Sequence, residues 1–95
     1  MIHSTAIIDP SAKVDPSTQI GAYSIIGSKV QIGKNCLIEP HSQICNRVTI
    51  GKGNTIGPYV VIGNSAQWPK KKSSGLIYIG NNNTFNEFCN IHLPT

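Results

Sequence analysis

Ninety-five residues allow one domain and no large globular core. Aromatic residues are only 6% of the chain and charged residues 13%, with a formal net charge of +4. No apolar run is long enough to cross a membrane, and three cysteines without a framework spacing argue against a disulfide-stapled scaffold and for a reducing, cytoplasmic compartment. Met1-Ile2-His3 enters a repeat at once, so no signal peptide is expected.

Taken in chain order, every sixth residue from Ile2 is Ile2, Ile8, Val14, Ile20, Ile26, Ile32, Ile38, Ile44, Ile50, Ile56 and Ile62. Aliphatic residues are about a quarter of the chain, so chance alone gives this run with odds on the order of 10⁻⁷. A period of six is neither helical nor a plain alternation, and it marks a structural repeat. Gly or an acidic residue often follows the anchor, as in Asp9, Asp15, Gly21, Gly27, Gly33 and Glu39. A small residue stands four after it, as in Ala12, Thr18, Ser24, Cys36 and Ser42. Side chains alternate along an extended segment, so each anchor and the small residue two before it point inward together. The unit predicts a solenoid of short strands, each coil burying its anchors against the next. Gly, with Asn35, Asn46 and Asn64, is expected to take positive φ at the corners. Pro10, Pro16, Pro40 and Pro58 stand two after an anchor, where a fixed φ suits a turn.

The rhythm breaks after Ile62. Residues 67 to 78 read Gln-Trp-Pro-Lys-Lys-Lys-Ser-Ser-Gly-Leu-Ile-Tyr, and anchors resume at Ile79, Phe85 and Ile91, with Asn83 and Cys89 in the small slot. A loop is expected near 68–75, projecting from the solenoid, with Leu76 to Ile79 as the strand that rejoins it. Insertions in repeat proteins gather on the binding face. Lys70 to Lys72 form the one dense run of charge, suited to a phosphate group or an acidic partner.

Hexads of this form resemble those of the left-handed parallel β-helix acyltransferases, in which three hexads make one triangular coil. The resemblance implies an all-β, left-handed parallel β-helix of about five coils. It would form a single domain over 1–95, the N-terminal part of a longer family fold. The segments Gly57-Pro58-Tyr59-Val60-Val61-Ile62-Gly63, Ile79-Gly80-Asn81-Asn82-Asn83 and Asn90-Ile91-His92-Leu93-Pro94-Thr95, with the basic loop before the second of them, narrow the match. In this order they resemble the UDP-N-acetylglucosamine O-acyltransferases of lipid A synthesis. The family loop reads Gln-Asp-Leu-Lys-Tyr, and Gln67 and Lys70 match it, while Trp68 replaces the sugar-contacting Asp. His92 matches the His of the family's Ile-His-Arg-Gly-Thr, with Leu93 and Pro94 in place of Arg-Gly. The resemblance therefore implies substrate-binding roles for Gln67, Lys70 and His92.

The implied reaction moves an acyl group from an acyl-carrier-protein thioester, or a coenzyme A thioester, to a hydroxyl of a sugar nucleotide. That hydroxyl needs a base, and a neutral His serves near pH 7. The family's base lies beyond position 95, so no catalytic residue is assigned; His92 is the candidate, and the ninety-five residues are not expected to sustain normal transfer alone. No bound cofactor, metal or nucleic acid is expected. The partners implied are the acidic carrier protein, the sugar nucleotide and further copies in a homotrimer. His3 and His41 are read as surface residues. They stand 38 positions apart and are the nearest pair of histidines, which argues against the zinc site of β-helical carbonic anhydrases. An acetyl-CoA-dependent hexapeptide sugar acetyltransferase and a non-catalytic β-helix scaffold remain as alternatives.

Overall fold

The computed structural model describes residues 1–64, 77–86 and 90–92, with Asn64 and 90–92 described by backbone alone. Thirteen short strands are described, and every pairing between them is parallel. The first face stacks β1 (Ile7–Ile8), β4 (Ile25–Ile26), β7 (Gln43–Ile44), β10 (Val61–Asn64) and β13 (Asn90–His92). The second holds β2 (Lys13–Val14), β5 (Gln31–Ile32), β8 (Val48–Ile50) and β11 (Ile77–Ile79). The third holds β3 (Gln19–Ile20), β6 (Leu37–Ile38), β9 (Thr55–Ile56) and β12 (Thr84–Phe85), and Ile2 bridges Ile20 at its start. The coils wind as a left-handed parallel β-helix. Its faces carry five, four and four described strands, slightly short of the five coils expected.

The hexad periodicity becomes three straight ladders. Ile26, Ile44 and Ile62 lie in register on the first face, Ile32, Ile50 and Ile79 on the second, and Ile20, Ile38 and Ile56 on the third. All nine are buried, and the small slot is buried with them at Thr18, Ser24, Val30, Cys36, Ser42, Val48, Asn54 and Val60. Polar groups in that slot are satisfied by the coil above. Thr18 Oγ1 donates to Gly33 O at 2.6 Å, Ser42 Oγ to Gly57 O at 2.8 Å and Cys36 Sγ to Gly51 O at 3.0 Å. Burying a hydroxyl without such an acceptor costs about 1–3 kcal/mol, so these bonds decide which polar residues the narrow interior tolerates. The ladder opens at the N-terminal end, where Ile2 is 47% exposed. Asn83, expected inward, is exposed because β12 ends the third face with no described strand above it.

The corners correct one expectation. Positive φ falls three residues after the anchor, at Tyr23, Lys29, Asn35, His41, Arg47, Tyr59 and Asn82 as well as Gly53. Asn35 fits the expectation and Asn46 does not. Gly21 and Gly27, directly after their anchors, have no left-handed φ. They are glycine because the next coil is close: a Cβ on Gly21 would lie 2.7 Å from Pro40 N. Each left-handed residue costs on the order of 1–2 kcal/mol for a side-chain-bearing residue. Bonds between coils offset this, as His41 N–H donates to Ala22 O at 2.9 Å and Arg47 N–H to Ser28 O at 3.0 Å.

Among the described residues no coil lies beneath the first, and its corners are built differently. Asp9 Oδ1 accepts from Ser11 N–H at 2.9 Å and from Ser11 Oγ at 2.7 Å, and Asp15 does the same for Ser17. His3 Nδ1 takes the equivalent place for Thr5, at 3.1 Å from its N–H and 2.8 Å from its hydroxyl. The three hydroxyls then accept from Tyr23, Lys29 and Asn35 N–H at 3.0, 2.9 and 2.9 Å.

Candidate functional site

The site expected from the sequence lies where the repeat is interrupted. In-register partners on successive coils are 18 positions apart through Ile62, but Ile50 pairs with Ile79 and Ile56 with Phe85. Those gaps are 29 positions, so one coil carries eleven residues more than the others. Gln67, Lys70 and the expected 68–75 loop lie within this coil but outside the described residues.

The departure point is described. β10 pairs with β7 below and β13 above, and its register with β13 shifts between Ile62 and Asn64. Gly63 at the shift has φ +85 and is buried, and a Cβ there would lie 2.7 Å from Val48 Cγ2. Only glycine fits this position, for both reasons at once. His92 is brought opposite Asn64, the last described residue before the interruption. The backbone thus sets the candidate His92 beside the root of the segment that carries Gln67 and Lys70.

The return is fixed by asparagines. Lys52 N–H donates to Asn81 Oδ1 at 2.9 Å, Asn82 N–H donates to Lys52 O at 2.9 Å, and Asn83 N–H donates to Asn54 Oδ1 at 2.8 Å. The buried Asn54 also donates to Gly51 O at 3.0 Å and Gly80 O at 2.7 Å. After eleven extra residues no local rhythm sets the re-entry of β11, and these side-chain bonds lock the register instead. Sequence reasoning placed Asn83 in the small slot and missed this clamp. Its signal was Asn54, the one amide among the buried residues of that slot, which are otherwise aliphatic, thiol or hydroxyl side chains.

The other two histidines stand apart from this region. His3 caps the first turn, and His41 stacks between Tyr23 and Tyr59 with ring centroids 5.3 Å apart on each side. Burial pushes the Cys45 thiol above its ordinary pKa, which leaves it a weak nucleophile at neutral pH. Among the described residues no group of three His, Cys, Asp or Glu side chains could hold a metal ion, and no helix is long and apolar enough to cross a membrane.

Residues 29–64 match the bacterial transferase hexapeptide family of six repeats. Over 92 residues the chain is 44% identical to the acyl-[acyl-carrier-protein]–UDP-N-acetylglucosamine O-acyltransferase of Thermodesulfovibrio yellowstonii, covering 96% of this chain and 36% of that protein. It is also 44% identical over 98 residues to the enzyme of the same name from Herminiimonas arsenicoxydans, covering 100% of this chain and 37% of that protein. The crystal structure of UDP-N-acetylglucosamine O-acyltransferase from Moraxella catarrhalis matches with a TM-score of 0.91 at 38% identity, covering 96% of this chain and 36% of that one. The chain spans little more than a third of the length of the relatives it matches.

Proposed function

We propose that this chain, a hexapeptide-repeat β-helix similar along nearly all its length to the UDP-N-acetylglucosamine O-acyltransferases, serves acyl transfer from an acyl-carrier-protein thioester to a sugar-nucleotide hydroxyl. The observation that carries this reading is the enlarged coil between Ile50 and Ile79. It interrupts an otherwise unbroken stack at the repeats where the resemblance puts the substrate loop, and His92 returns beside its root. In this reading Gln67 and Lys70 hold the sugar nucleotide. Lys70 supplies a charge-assisted bond to phosphate, one of the stronger hydrogen bonds available. His92 contacts the acceptor and is the one candidate here for accepting the hydroxyl proton. The resemblance gives the principal base to positions beyond 95. It also implies a cytoplasmic homotrimer, with 1–95 as one domain of each subunit and no bound cofactor.

The test is turnover of UDP-N-acetylglucosamine with a panel of acyl-carrier-protein and coenzyme A thioesters. Lys70→Ser and His92→Ala are each expected to raise KM or lower kcat by about tenfold or more, since each removes a contact worth at least ~1.4 kcal/mol. The ninety-five residues expressed alone are expected to turn over about 10²–10⁴ slower than an ordinary transferase, the usual loss with a general base. Turnover by that piece within tenfold of an ordinary transferase and abolished by His92→Ala would make His92 the base. Sedimentation as monomer at every concentration would remove the trimer.

A further inference from the structure

Charge on this solenoid is sorted by face. The outward strand positions are Ile7, Ile25, Gln43 and Val61 on the first face, and Gln19, Leu37, Thr55 and Thr84 on the third. On the second face they are Lys13, Gln31, Thr49 and Tyr78. Lys29 and Arg47 occupy the corner entering that face, between β4 and β5 and between β7 and β8. Lys34 and Lys52 occupy the corner leaving it, between β5 and β6 and between β8 and β9. Every Lys and Arg among the described residues therefore lies on the second face or its two margins.

The stacking is direct. Arg47 N–H bonds to Ser28 O at 3.0 Å and Gly53 N–H to Lys34 O at 2.9 Å, so Arg47 sits one coil above Lys29 and Lys52 one coil above Lys34. Like charges one strand apart repel and lower stability. No salt bridge offsets this among the described residues. Asp9 and Asp15 lie on the same corners but in the first coil, where Ser11 and Ser17 engage them; Asp15 also feels Lys34. The four stacked cations outnumber these two carboxylates and form a net basic frame around polar Gln31 and Thr49 and the 77% exposed ring of Tyr78.

We propose that this second face is a docking surface for an acidic protein, the carrier that delivers the acyl thioester, a proposal that rests on the transferase reading above. Charge complementarity identifies the class of partner. A basic frame steers and orients an acidic surface, and an exposed tyrosine is a common anchor within such a patch. Gln31 and Thr49 offer no apolar wedge for a lipid surface, and Tyr78 alone offers no run of stacked rings for single-stranded nucleic acid.

The experiment measures binding of purified acyl-carrier protein to the chain at about 0.05 M and about 0.5 M salt, the range over which surface charges become screened. Three variants are compared: Lys29→Glu/Arg47→Glu, Lys34→Glu/Lys52→Glu, and Gln19→Glu/Thr55→Glu on the third face, each checked for an unchanged far-ultraviolet spectrum. Each second-face pair is expected to weaken low-salt binding by about tenfold or more, the third-face pair by less than about twofold, and high salt to erase the difference. Binding that survives both second-face pairs overturns the surface and leaves the transferase reading standing. A wild-type chain that binds no carrier, or binds anionic vesicles or duplex DNA more tightly, overturns the partner; the turnover assay reports separately on the reaction.

Discussion

Ile44 and Ile25 form a matched pair that tests the ladder directly. Both are isoleucines on the first face, paired across adjacent strands, with Ile25 opposite Gln43 and Ile26 opposite Ile44. Ile44 is 0% exposed and Ile25 is 40% exposed. Ile44→Ala removes three carbons, worth about 2.4 kcal/mol at ~0.8 kcal/mol per buried CH₂. The cavity cannot close readily, because Gly27 N–H to Ile44 O at 2.7 Å and Cys45 N–H to Ile62 O at 2.8 Å hold the coils at fixed spacing. The total therefore belongs in the upper part of the usual range, about 3–5 kcal/mol. Ile25→Ala should cost under about 1 kcal/mol, since its side chain is already partly in water. With an m-value of about 1–3 kcal/mol/M in urea, Ile44→Ala should lower the midpoint by roughly 1–5 M. Urea melts followed by far-ultraviolet circular dichroism read this shift. Equal midpoints for the two variants would refute the inward ladder, and Ile44→Asp, which buries an unpaired charge, should leave no folded baseline at all.

Two further outcomes concern the corners. Gly21→Ala should destabilise by roughly 1–3 kcal/mol although Gly21 has an ordinary φ, because its Cβ would press on the Pro40 backbone. Gly80→Ala, whose Cβ would meet nothing nearer than 4.0 Å among the described residues, should be close to neutral in the same urea melts. Hydrogen bonds from Ser11 and Ser17 hold the Asp9 and Asp15 carboxyls below their ordinary pKa of 3.8. A depressed carboxyl contributes stability that is present above its unfolded pKa and lost as pH falls through the folded one. Protection of the Lys29 and Asn35 amides, which the two serine hydroxyls accept, should therefore fall below about pH 4 while that of the His41 amide holds. Ser11→Ala/Ser17→Ala should remove the difference, and parallel loss at all three amides would sink the idea.

Much of the fold was legible because the repeat states its own geometry. An aliphatic residue every sixth position and a small residue two before it specify which side chains enter a narrow interior, and Ile20 to Ile62 obey without a miss. The corners were legible in place but not in cause. Glycine after the anchor suggested left-handed backbone, whereas Gly21 and Gly27 answer to the neighbouring coil, and Tyr23, Lys29, His41 and Arg47 carry the strained φ. That assignment depends on which residues stack 18 positions apart, a relation absent from any single hexad.

The same relation explains why the candidate site was only half legible. The break after Ile62 announced a departure from the scaffold, and the resemblance supplied chemistry for Gln67, Lys70 and His92. The pattern could not say how the chain finds its way back. The re-entry rests on Asn54, Asn81 and Asn83, whose long-range partners no periodicity encodes. Nor could it gather Lys29, Lys34, Arg47 and Lys52 into one frame, since in the chain they read as scattered lysines and an arginine on either side of unrelated hexads. Charges on free outward positions are not needed by the core, so folding leaves them open to other uses. A solenoid with a fixed 18-residue coil turns such free positions into straight columns, and charge sorted by column becomes a surface with one sign.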